Sequence, residues 1–83
     1  MPYILNSRRA EVLPLSSDVV DTAGELNFQI TSLIRTFINV HGLKYQTIND
    51  IIGVLESSKL EFYRRIAVPY EDEKIKTNGD VYL

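Results

Sequence analysis

The stretch LNFQITSLIRTFINVHG, Leu26–Gly42, decides the fold. Its apolar residues Leu26, Ile30, Leu33, Ile34, Phe37 and Ile38 recur at steps of three and four, which gathers them on one stripe of an α-helix. The spacing predicts a helix over Ala23–Val40. Upstream, Thr22 and Glu25 have the separation of a capping box, and Ser16, Ser17 and Asp18 offer competing N-caps. Downstream, His41-Gly42 stands where a glycine ends a helix in the left-handed region, so the turn is placed at Val40–Lys44.

So short a turn favours an antiparallel partner helix. Ile48, Ile51, Ile52, Leu55, Phe62 and Ile66 supply its stripe, Lys59 interrupts it, and Tyr45, Val54 and Leu60 widen it, giving a second helix over Tyr45–Ala67. Gly53 and Ser57 share a face of this helix. A close crossing by another helix would explain a glycine that otherwise costs about 1 kcal/mol relative to alanine. Pro69 is expected to end or bend the long helix and to open a short one over Tyr70–Lys76, with Glu71 and Asp72 at its positive end and Lys74 and Lys76 at its negative end. Asn78-Gly79 then turns the chain into an extended tail over 77–83. At the other end, Pro2 and Pro14 punctuate an arm over 1–21, in which Ser7 is placed to cap a short helix through Arg8, Arg9, Ala10 and Glu11.

Eighty-three residues make one small domain, near the size at which a single core becomes marginal. With 45% apolar and 24% charged residues the chain has a globular rather than a disordered composition. The fold class expected is therefore all-α: an antiparallel helical hairpin with an N-terminal arm and a short C-terminal helix, assembled as a homo-oligomer because two broad stripes exceed what one hairpin covers. The absence of cysteine excludes disulfides and thiolate metal sites. A net charge of −2 supplies no global field for nonspecific nucleic-acid binding. No apolar run reaches membrane-span length and the N-terminus lacks the order of a secretory signal, so a soluble cytoplasmic protein is expected.

The blocks GELNFQITSLI (Gly24–Ile34), YQTINDIIGVLESSKLEFYRRIAVPYEDEKI (Tyr45–Ile75) and NGDVY (Asn78–Tyr82) together resemble a family of short, uncharacterised proteins of bacteria and their phages. The resemblance covers most of residues 24–82. It implies a compact helical protein, fits a phage origin, and brings no activity, catalytic residue or cofactor with it.

The residues themselves point away from an enzyme. His41, the lone histidine, sits at a helix end, where an imidazole interacts with free carbonyls and the helix dipole. Asp50, Glu56 and Glu61 have neither a histidine partner nor metal-ligand spacing, and no phosphate loop or nucleophile elbow is present. Neither a metal nor a cofactor is expected. Glu25, Asn27 and Asn49 fit either solvated helix faces or buried interhelical hydrogen bonds.

The sharpest binding candidates are Tyr63, Arg64, Arg65 and Tyr70: guanidinium groups hold phosphate and a tyrosine stacks on a base. The structural alternative has Glu61, Glu71, Asp72 or Glu73 pairing with the arginines, while Asn78, Asp80 and Tyr82 dock the tail. The functional expectation is a noncatalytic binding or interaction protein, a phage accessory factor sequestering a nucleotide-like signal or contacting a host protein. The alternative is a structural or regulatory interaction module without a small-molecule ligand.

Overall fold

The structure is a computed structural model that describes residues 2–12 and 20–82. The competing N-caps at Ser16, Ser17 and Asp18, and Pro14, lie outside the described residues. The protein is all-α, with no strand among the described residues. Two compact units divide it, one over Tyr3–Ile52 and the other from Gly53 onward together with Pro2.

In the first unit, α1 spans Asn6–Arg9. Its N-cap is Leu5 rather than Ser7, and no side chain caps it. Ser7 therefore lies inside the turn instead of starting it. The turn is held by the backbone bond from Arg8 N–H to the Leu5 carbonyl at 2.9 Å, by an Arg8–Glu11 ion pair, and by Arg9 Nε donating to the Ile4 carbonyl at 3.1 Å.

Helix α2 spans Ala23–His41, within one residue of its expected end. Thr22 is extended and its Oγ1 accepts from Glu25 N–H at 3.1 Å, while Glu25 Oε1 accepts from the Thr22 and Asp21 N–H groups at 3.1 and 2.7 Å. The capping box thus satisfies donors that the first turn cannot satisfy itself. At the other end Gly42 has φ +84° and its N–H closes onto the Ile38 carbonyl at 2.7 Å.

Helix α3 starts at Tyr45 and runs to Phe62, with Ile48 N–H donating to the Lys44 carbonyl at 3.0 Å. α2 and the start of α3 follow one another through the short turn closed by Gly42 and belong to the same compact unit. Leu26, Leu33, Ile48, Ile52 and Leu55 are exposed, and no hydrophobic side chain among the described residues is buried. Thr47, 2% exposed, is the one buried residue there. Gly53 corrects a second expectation: a Cβ built on it meets no atom within 4 Å, so no neighbouring helix crosses closely at that point.

The largest departure from the sequence reading comes at Pro69. The helix does not stop at Ala67; Tyr45–Asn78 form one continuous 34-residue helix. Between α3 and α4, which spans Val68–Asn78, the residues Tyr63–Ala67 form a π-helical turn, and Val68 N–H donates to the Tyr63 carbonyl five residues back. An α-helix through Pro69 would lack one N–H and drive the proline ring into the carbonyl four residues earlier. With the register widened there, the proline sits in the first turn of α4, and the bond it cannot donate is missing at the Arg64 carbonyl. The short C-terminal helix is therefore real, but it begins at Val68, ends at Asn78, and grows directly out of the helix before it.

Candidate functional site

The sequence candidates all lie in the unit that begins at Gly53, on the π-turn, on α4 and just beyond it. Tyr63, Arg64 and Arg65 occupy the first three positions of the π-turn, and Tyr70 lies in the first turn of α4. In an uninterrupted α-helix Tyr63 and Tyr70, seven residues apart, would share a face to within about 20°. The additional residue in the π-turn rotates Tyr70 away by roughly a further 100°. The two rings are exposed on different faces and do not form one aromatic clamp.

The arginines are separated by their partners. Arg64 Nη2 donates to Glu61 Oε1 at 2.7 Å, one helical turn back, and the Glu61 side chain is only 17% exposed. Of the four carboxylates the sequence offered, Glu61 is the one engaged with Arg64. Glu73 instead takes Lys76 at 3.4 Å. Arg65 is exposed and makes no hydrogen bond or ion pair among the described residues. Lys74 Nζ stands 5.5 Å from the centroid of the Tyr70 ring, a cation–π contact within α4 that already occupies one face of the tyrosine. Tyr63 and Arg65 are thus the candidates left facing outward without a local partner.

The π-turn adds a backbone feature that residue spacing does not disclose. Since Val68 N–H is committed to the Tyr63 carbonyl and the next nitrogen belongs to Pro69, the Arg64 carbonyl loses both donors that an α- or π-helical register would bring to it. The acceptor lies between the exposed Tyr63 and Arg65 side chains in sequence.

At the far end of α4, Gly79 has φ +88° and its N–H closes the helix onto the Ile75 carbonyl at 2.8 Å. Asp80 then accepts from Tyr82 N–H at 2.8 Å, an Asx turn that folds the tail. Glu71, Lys74 and Ile75 of α4 and the turn Asn78–Tyr82 line a shallow cleft of about 330 Å³. Asn78 ends the helix and Asp80 shapes the turn, while the Val81 and Tyr82 side chains stay almost wholly exposed. His41, for its part, tilts its ring against Phe37 at 4.2 Å between centroids, and the bond that closes α2 comes from the Gly42 backbone. Among the described residues no group of three metal-ligating side chains comes together, and no helix is long and apolar enough to cross a membrane.

This architecture defines a small all-α protein with exposed tyrosine and arginine side chains at a π-helical turn. Residues 1–81 match the family described as a domain of unknown function, DUF6899, and the chain belongs to that family. The match takes in residues 1–21, so the N-terminal arm is part of the family's domain although the resembling sequence blocks begin only at Gly24. No match is found among curated proteins or among solved structures.

Proposed function

We propose that the protein is a noncatalytic interaction module, which presents aromatic and apolar helix surface to a macromolecular partner such as a host protein. The observation that carries this reading is that most large apolar side chains of α2, α3 and α4 are exposed, Phe28, Ile52 and Tyr70 among them, with none buried among the described residues. Large apolar side chains exposed in such number within each unit mark interaction surface. Tyr63 and Tyr70, exposed on two faces of the helix in the unit that begins at Gly53, are the best anchors, because tyrosines buried at an interface dominate its energetics at small entropic cost. The test is recovery of a defined partner by tagged protein, with Tyr63→Ala/Tyr70→Ala compared against the unaltered chain at equal helicity. Recovery should fall at least about tenfold, as expected if the two anchors together contribute more than about 1.4 kcal/mol. Undiminished recovery would remove this surface from the reading.

A second reading, sequestration of a nucleotide-like signal as a phage accessory factor between protomers, is favoured by one observation: the Arg65 guanidinium is exposed and uncommitted. Tyr63, two residues earlier, points to nearly the opposite side of the helix, so Arg65 would hold the phosphate while the base stacks on a tyrosine of a second protomer, with Arg64 joining only by leaving Glu61 and Tyr70 only by leaving Lys74. Calorimetry against cyclic and linear nucleotides tests it. Saturable binding abolished by Arg65→Ala supports the reading, and no saturable heat across the panel rejects it.

A further inference from the structure

Along α2, the residues Ala23, Leu26, Ile30, Leu33, Phe37 and Val40 follow one another at steps of three, four, three, four and three. That is an unbroken a/d seam of the coiled-coil type, and it spans the helix from its capping box to its closing glycine. The seam is uncovered: Leu33 is 50% exposed and Val40 72%. Its flanking positions are Asn27, Gln29, Ile34, Thr36 and His41, among which no carboxylate, lysine or arginine occurs. The charges of α2 are Glu25, engaged in the capping box, and Arg35, on the side of the helix opposite the seam.

We propose that α2 is a self-association surface whose occupant is a second copy of this chain, seated seam to seam. The inference rests on the interaction reading above and names its first partner. Two features of α2 suit a second copy. Charged flanks are what discriminate partners in coiled coils, and flanks without them set no like charges against each other when two identical helices meet. Ile30 at an a position between Leu26 and Leu33 at d positions is also the combination that favours two strands. The absence of a buried apolar side chain among the described residues adds a third argument. A chain that leaves its apolar faces open has little to set against the entropy of folding, so the cover must be present whenever the chain is. A copy of itself meets that condition at every level of expression.

The experiment exploits the absence of native cysteine. Light scattering on the full chain at micromolar concentration should give the mass of a dimer or a multiple of it. Ile30→Cys or Leu33→Cys should form a covalent dimer with a short bismaleimide, whereas Arg35→Cys on the back of the same helix should not, with the helicity of each variant matching the unaltered chain. A stable folded monomer would overturn the proposal, as would cross-linking through Arg35→Cys that equals cross-linking through the seam. Either failure leaves the Tyr63 and Tyr70 recovery assay standing as a separate result, so loss of self-association and loss of the interaction reading are distinguishable.

Discussion

Gly42 and Gly53 are both helix-associated glycines, and the physics that holds each in place is different. Gly42 has φ +84° and ψ 153°, a region that side-chain-bearing residues essentially do not occupy. Gly42→Ala should therefore destabilise the fold by about 1–3 kcal/mol, read as a lower urea midpoint with an unchanged slope. Gly53 sits inside α3 with no atom within 4 Å of a built Cβ. Gly53→Ala should stabilise by about 1 kcal/mol through helix propensity alone. Destabilisation, or a smaller assembly by light scattering, would show that a partner chain uses that open space. Spacing alone identified Gly53 and Ser57 as neighbours on one face, and only the structure shows that nothing meets a Cβ at Gly53 while Ser57 is half-buried. Gly42 was legible for the opposite reason, because a glycine one position past a periodic stripe has few other roles.

At the scale of elements, Pro69 separates what periodicity can decide from what it cannot. The ends of α2 were readable because Thr22, Glu25 and Gly42 are local devices, each acting within a turn of itself. The fate of the chain at Pro69 depends instead on a comparison of costs. Ending the helix means nucleating another one a few residues later, and the first turn of any helix is unfavourable. Widening one turn sacrifices the regular pairing around the Arg64 carbonyl and keeps the remainder intact. The second route wins, and it moves Tyr70 off the face it would share with Tyr63. The site was consequently legible as a set of residues but not as an arrangement: Glu61 stood among four carboxylates offered to the arginines, and the π-turn that fixes the ring directions has no sequence signature of its own. Pro69→Ala restores an N–H and removes the ring clash, so the turn should revert to α-helix, bringing Tyr63 and Tyr70 onto one face. Paired spin labels replacing these two side chains should report a shorter separation in the alanine background. An unchanged distance would mean that the π-turn is held by something other than the proline.

For the whole molecule, the stripes in α2 and α3 specify which residues share a face, yet no periodicity states what covers that face. Thr47 is buried while Ile48 and Ile52 beside it are exposed, so cover is not distributed as the hydrophobic pattern alone would have it. The tail follows the same logic: Val81 and Tyr82 are exposed, and deleting Asn78–Leu83 should leave helicity nearly unchanged, with a shift of thermal midpoint no larger than a frayed last turn of α4 produces. If the missing cover is a second copy, stability must depend on concentration, because assembly contributes free energy by mass action. A tenfold rise in protein concentration should then raise the apparent stability of the assembled form by about 1.4 kcal/mol per dimer, seen as a thermal midpoint that climbs with concentration. Salt separates the force responsible. The ion pairs Glu56–Lys59, Glu61–Arg64 and Glu73–Lys76 lie within single helices, and the flanks of the α2 seam carry no acidic or strongly basic side chain. Raising sodium chloride from about 0.1 to about 1 M shortens the screening length from about 10 to about 3 Å, which weakens an assembly held by charge and leaves an apolar seam intact. The dimer fraction at fixed protein concentration should accordingly hold steady or rise with salt, and a fall would move the interface from α2 to the charged surface of α4.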